Sequence, residues 1–481
     1  MDSQADRYVD TLPTLPDVAG LDQPAVGFEG AQSSTRSPDS PAARWSVAPA
    51  DPAEQAPAYR LGRDRRYLTW LTSDTALGLS ASIANFAIPL IALAVTGSPV
   101  QAGLIGAAAM VVRLVATLVG GVLADRHNRL VLMVMGCVIG VVLALVFAGL
   151  AAANLLTFVT LLLVNVLWSL RGGVFYVAGE AAIKEIVPDE AMGRAQAANQ
   201  ARDAALGLGG GPLGGALLGA GAWLVAAAMA ACQFIALVTA MILRRGDAPT
   251  PKAAPVADGA PAQEGSPSGW DEAKAGIVWL FRRPDLRGVL IVATIINLGF
   301  NAGMTTVIYS LQLEGYSPQV IGGLSAAISA VMLVGAVAAP MVVARVKAGT
   351  LILAGLVMAA VGILALSLVQ TIGGIVAVLA AGLLLIPGLN AGLIGYQVVA
   401  TPSSLLGRVN SALGVTAMAA MPLAPIIAGF GLEWVGRTGT LMVAGAICLI
   451  AVVLTFATPS IRALPKESEW TAHASRCAEE A

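Results

Sequence analysis

Charged side chains interrupt stretches that are otherwise apolar enough to cross a membrane: Asp74, Arg113, Arg171, Glu180 and the adjacent Arg202 and Asp203. A charge at bilayer depth is costly, so such residues face a bundle interior or a wet cavity and are functional candidates by default. The chemistry open to them is proton exchange, because a carboxylate held against arginines can take up and release a proton as its surroundings change. Asp74 lies about 10 Å along a helix from Tyr67, and Arg113 about 18 Å from Asp125. Asp74 is therefore expected to approach Arg113 or Arg171 across the bundle and form a proton-coupling centre with them. The alternative is a static ion pair near the interface. Glu180, Arg202 and Asp203 are secondary candidates, and the last two read as a structural pair.

The later part of the chain offers neutral polar groups instead. Asn297, Asn301, Tyr309, Asn390 and Tyr396 are placed to face a central cavity and hydrogen-bond a largely apolar ligand. Asn297 and Asn301, four apart, share a helix face. Hydrogen bonding between helices would use the same side chains.

What positions these residues is a set of long apolar runs. With 57% hydrophobic and 12% charged residues and a mean hydropathy of +0.78, the chain has more apolar side chains than a soluble core can bury. We count roughly twelve runs near the ~20 residues that span a bilayer: 67–95, 102–124, 130–151, 155–182, 194–218, 222–243, then 287–312, 319–343, 350–369, 373–400, 409–431 and 438–458. Short patterns recur between them. Ser98-Pro99, Gly103 and Ala107-Ala108 return as Ser317-Pro318, Gly322 and Ala326-Ala327, and Pro188, Gly193-Arg194 return as Pro402, Gly407-Arg408. The expected fold is all-α and integral to the membrane: two parallel six-helix halves, 60–243 and 287–460, around a central cavity. Such halves can rock about a site between them.

The remaining segments read as connections and tails. Residues 1–59 lack periodicity and are expected to be a disordered tail, with no signal-peptide pattern. The linker 244–286 ends in Trp270–Phe281, where Trp270, Ala273, Ile277, Leu280 and Phe281 share a helical face; this helix lies on the membrane surface or packs on neighbouring loops. Residues 461–481 form a carboxy-terminal tail. Lys and Arg concentrate in alternate short loops (Arg126, Arg129, Lys184, Arg194, Arg244, Arg245, Arg345, Lys347, Arg408), which puts both termini in the cytoplasm. Trp70, Trp223 and Trp434 stand at run ends as interfacial anchors.

The net charge of −1 and the scattered basic residues argue against nucleic-acid binding. Cys137, Cys232, Cys448 and Cys477 have no disulfide or zinc spacing. No metal or other cofactor is expected, and no nucleotide-binding loop is present to bring ATP into the cycle. Enzymatic chemistry is not expected either, since no nucleophile and base are paired within the runs.

The most specific local pattern is Gly121-Val122-Leu123-Ala124-Asp125-Arg126-His127-Asn128-Arg129, in which Gly121 would let two helices approach and Asp125, Arg126 and Arg129 would form a gating loop. It resembles the loop between the second and third helices of the major facilitator superfamily, with Asn128 where that motif usually has glycine and where a left-handed turn is expected. The resemblance covers nearly all of residues 66–460. Ala87-Ile88-Pro89-Leu90, Thr96-Gly97-Ser98-Pro99 and Gly407-Arg408-Val409-Asn410-Ser411 look most like the drug-efflux branch that includes macrolide and enterobactin exporters. Run five carries Gly207, Gly211, Pro212, Gly215 and Gly219, a smooth stripe similar to the glycine-proline motif of superfamily antiporters; tight packing without bearing on direction is the alternative. Arg171 falls about where efflux relatives carry a fourth-helix arginine linked to proton exchange.

The resemblance implies a monomeric, multi-pass protein of the cell membrane that exports a hydrophobic or amphipathic small molecule, drug-, macrolide- or siderophore-like, in exchange for protons. The runner-up is a proton-coupled symporter importing a metabolite. A transporter-like sensor or scaffold would fit the long amino-terminal tail but not the retained loop motif and the buried charges.

Overall fold

In lipid no water can satisfy a free N–H or C=O, so apolar runs of this length must fold as helices. The computed structural model describes residues 60–246, 284–401, 409 and 419–479, and these are helical almost throughout. The tail 1–59, the linker helix 270–281 and the Pro402 and Gly407-Arg408 stretch lie outside the described residues. The first half comprises α1 (Arg65–Thr96), α2 (Pro99–Arg126), α3 (Arg129–Ala152), α4 (Phe158–Ile186), α5 (Asp189–Ala220) and α6 (Ala222–Gly246). The second comprises α7 (Pro284–Leu313), α8 (Pro318–Arg345), α9 (Ala348–Ala365), α10 (Ile372–Leu383), α11 (Ile386–Ala400), α12 (Leu423–Trp434) and α13 (Gly436–Ala457). Among the described residues ten helices are long and apolar enough to cross a membrane, with α10 and α11 taken as one span. Of the other two, α5 is long but polar in its first turns, and α12 has 12 residues.

The recurring Ser-Pro pairs are helix starts. Pro99 and Pro318 occupy the first turn of α2 and α8, where a missing N–H costs nothing, and the Ser98 hydroxyl accepts from the Gln101 N–H. These segments also make the seam between the halves. A Cβ on Gly215 of α5 would run into the Pro318 carbonyl of α8, and one on Gly429 of α12 into the Pro99 carbonyl of α2. Likewise Gly322 abuts the Gly211 carbonyl and Gly103 that of Pro425. The two contacts are copies of each other, so the sequence echo is the imprint of a pseudo-twofold seam that needs glycine for backbone contact. The glycine stripe of α5 thus faces α8: Gly219 meets the Gln319 side chain, and the Gly207 carbonyl accepts from the Ser329 hydroxyl at 3.4 Å.

Further bonds close the same end of the bundle. The Ser98 hydroxyl reaches Glu433 at 3.2 Å, and the Gln312 amide donates to the Leu90 carbonyl at 2.8 Å. Leu90 is packed into the second half's core and Tyr309 into the first half's. At the opposite end, near the α2–α3 turn, Gln196, Ala198 and Gln200 of α5 are exposed.

Three features depart from the sequence reading. Run ten is broken after Leu383, since Pro387 has no N–H to offer and crowds the preceding turn; Gly335 of α8 packs against the freed Leu384 carbonyl. Trp70 is no interfacial anchor: it is 1% exposed and its indole N–H donates to the Gly179 carbonyl at 3.0 Å. Residues 459–479 form α14 (Pro459–Arg462) and α15 (Trp470–Glu479), and α15 docks on α11. There Trp470 is buried beside Gly395, and the Ala348 and Gly349 N–H groups donate to the Pro465 and Leu464 carbonyls.

Candidate functional site

Asp74 sits in the third turn of α1, whose small residues Gly78, Ala81 and Ala84 leave room beside it for a cavity of about 250 Å³ within the first half. Asp74 is buried and ion-paired with Arg202 of α5 at 2.5 Å, not with Arg113 or Arg171. Arg202 also holds Asp203 at 2.8 Å, so one guanidinium serves a buried and a half-exposed carboxylate. The expected local pair of Arg202 and Asp203 is therefore only part of a triad. Glu180, one turn beyond Tyr176 on α4, is exposed.

Arg113 and Arg171 line the cavity together with Asp74. Their helices cross closely: a Cβ on Gly173 would meet the Arg113 carbonyl, and one on Gly120 the Gly173 and Val174 carbonyls. Close approach at this crossing therefore falls to Gly120, whereas Gly121 has open space around it. Arg171 is held by neutral groups, donating to the Gly136 carbonyl at 2.7 Å and to Gln233 Oε1 at 2.8 Å, with its guanidinium 5.1 Å from the Trp168 ring centre. Gln233, itself buried, passes the network on to the Ser80 hydroxyl at 3.2 Å. Neither Gln233 nor Ser80 was a sequence candidate; Gln233 was discoverable as a lone amide in the apolar run of α6.

The second half has its own cavity, of about 210 Å³, which Asn297 of α7 and Asn390 of α11 share. The α10–α11 break borders it through Leu383 and Ile386. The other neutral candidates do not face it. Asn301 turns back to donate to the Asn297 carbonyl at 2.8 Å. Tyr309 is 1% exposed in the packed seam, and the Tyr396 hydroxyl lies 3.0 Å from His473 of the carboxy-terminal helix.

In the α2–α3 turn, Arg129 bridges to Glu185 at 3.1 Å and to the Ala181 carbonyl at 3.3 Å, tying α3 to α4. Arg126 is exposed, and the Asp125 side chain lies outside the described residues. Asn128 is not left-handed: with φ −63° it caps α3, its side chain accepting from the Val131 N–H at 3.1 Å. An asparagine in place of glycine thus supplies a cap and needs no unusual backbone. Among the described residues no cluster of His, Cys, Asp or Glu is arranged to hold a metal.

Two helical halves meeting along a glycine seam, each with a cavity open to its neighbouring helices, define a membrane transporter. The chain matches the Major Facilitator Superfamily model over residues 74–406 and belongs to that family. No curated protein matches it in sequence. Among solved structures, a bacterial homologue of the iron transporter ferroportin in an inward-facing state is similar, with TM-score 0.61 and 14% identity over 82% of this chain and 98% of that one. A bacterial homologue of the human lysosomal transporter Spinster, inward-facing and unoccupied, gives TM-score 0.60 and 14% identity over 86% and 98%. A D-xylose-proton symporter gives 0.58 and 16% over 81% and 97%. At these identities the likeness is one of fold.

Proposed function

We propose that this transporter exports a hydrophobic or amphipathic small molecule across the cell membrane in exchange for protons, with both termini in the cytoplasm. The observation that carries the reading is the buried Asp74–Arg202 pair at the wall of the first-half cavity. Asp74 is on α1 and Arg202 on α5, and the later turns of α5 form the seam with α8. Protonation of Asp74 removes the charge that holds Arg202, leaves Arg202 to Asp203 and loosens α5 from α1. The half-to-half seam then receives the change directly, which is how a proton at one site can bias the rocking of two bodies.

The basic α2–α3 turn marks the cytoplasmic end. On that orientation the seam closes the outside and the exposed turns of α5 face a cytoplasmic opening, an inward-facing state. Asp125, with Gly121, Arg126 and Arg129, belongs to the cytoplasmic gate that closes in the opposite state. The two Asn-bearing helices of the second half supply neutral hydrogen bonds to the cargo.

The test is accumulation. Expression should lower the cellular content of at least one lipophilic compound, and a protonophore should restore it. Content that rises with expression and falls with a protonophore identifies the importing symporter instead.

A further inference from the structure

The charged residues that line the first-half cavity are one carboxylate, Asp74, and two guanidiniums, Arg113 and Arg171. Asp74 is ion-paired with Arg202, which it shares with Asp203, while Arg113 and Arg171 make no ion pair among the described residues. Arg171 spends two donors on a carbonyl and an amide oxygen, and a guanidinium has five. Arg113 is exposed into the cavity from the neighbouring helix. The Gly173 contact sets the Arg113 backbone beside α4 two residues past Arg171. Apolar side chains, among them Ile88, Ile105, Met110, Met133 and Phe175, make up most of the remaining wall, with Asn85, Asn165, Ser169, Tyr176 and Gln233 as its neutral polar groups. Two cations without an ion-pair partner in a largely apolar chamber favour a mobile partner of opposite charge, and its apolar remainder has a surface to lie against.

We propose that the cargo is an amphipathic organic anion whose acidic group docks between Arg113 and Arg171. The Arg171 guanidinium lies over the Trp168 ring and is held by the Gly136 carbonyl and Gln233, so a carboxylate or phosphate oxygen meets a pre-positioned group. The apolar body of the cargo lies along α1 and α2, toward Ile88 and Ile105. This assignment rests on the reading of the chain as an exporter and narrows its cargo from any lipophile to one charge class.

The test uses the full chain in nanodiscs of neutral phosphatidylcholine and three probes with one apolar body: pyrenebutyrate, its methyl ester, and pyrenebutyltrimethylammonium. Wild-type protein should bind the anion at least about tenfold more tightly than the ester, a difference of roughly 1.4 kcal/mol, and the cation least. Arg113→Gln should cut anion affinity about tenfold and leave ester affinity within about twofold, while Arg113→Lys keeps most of the preference. Arg171→Gln should act in the same direction. If it fails to fold, Arg113→Gln decides, because it orphans no charged partner. Equal affinity for anion and ester in wild type, or a preference untouched by Arg113→Gln, overturns the proposal. Protonophore-sensitive export of a neutral lipophile with no anion preference would remove this proposal and leave proton-driven export standing. Anion-selective binding with no movement of probe under a pH gradient would remove the export reading and support the anion site.

Discussion

The cavity of the first half is walled by Asp74, Arg113 and Arg171, whereas that of the second half is walled by Asn297, Asn390 and apolar side chains, with no charged residue. The seam between the halves shows no such division: Gly215 on the Pro318 carbonyl and Gly429 on the Pro99 carbonyl are one contact made twice. Symmetric packing and an asymmetric placement of charge therefore separate cleanly in this molecule. The seam contact is duplicated, while the buried carboxylate–arginine pair is placed in one half, on α1 and α5, and α5 leads to the seam. In the second half the corresponding stretch of run ten carries no arginine; it carries the break at Pro387, which frees backbone polar groups where the first half has a side-chain charge.

The largest effect is expected from unbalancing the charged half. Arg202→Ala leaves Asp74 buried without its cation, at a cost of about 3–5 kcal/mol, so purified yield and thermal midpoint should collapse, and Asp74→Asn in the same chain should restore most of both. The second half's ion pair provides the contrast. Arg437 and Glu314 are 3.8 Å apart and Glu314 is half-exposed, so Glu314→Ala should cost no more than about 1 kcal/mol. Equal losses from the two would erase the distinction between the halves.

Next in size is the seam, where the halves should respond alike. Gly215→Val and Gly429→Val each press a side chain into a facing carbonyl, an overpacking cost of about 1–3 kcal/mol. Both should slow transport by about tenfold or more, measured as initial rate per molecule of folded protein. A large effect from one and none from the other would break the symmetry inferred from the echoed Ser-Pro segments. Smallest are the second-half amides. Asn297→Ala and Asn390→Ala each remove one neutral hydrogen bond of about 0.5–1.5 kcal/mol, so KM for cargo should rise several-fold with the pH dependence unchanged. A shifted pH dependence would bring the second half into proton coupling.

The helices were legible because membrane spans are written in length and hydropathy alone, and α1 to α4 begin and end within a few residues of their runs. The pairing of buried charges was not. Asp74 and Arg202 are far apart in sequence, and which helices are neighbours is decided by packing that no periodicity encodes. Adjacency in the chain suggested instead that Arg202 belonged to Asp203. Trp70 was misplaced because its indole, near a run end, is bonded to the Gly179 carbonyl of a neighbouring helix. The Pro387 break was visible as a proline inside a long run, and the docked carboxy-terminal helix as Trp470 and Ala474 at helical spacing. The seam was half legible: its glycines and prolines were evident, but not that each segment meets the other half's fifth helix.

The most direct test of the central claim is Asp74→Asn reconstituted in liposomes with an imposed pH gradient. An amide keeps the shape of the carboxylate but cannot exchange a proton. The variant should bind cargo and exchange it downhill at near wild-type rates, yet fail to concentrate it when the gradient is applied. Gradient-driven accumulation equal to wild type would place proton coupling elsewhere, with Glu180 and Asp203 the next carboxylates to test.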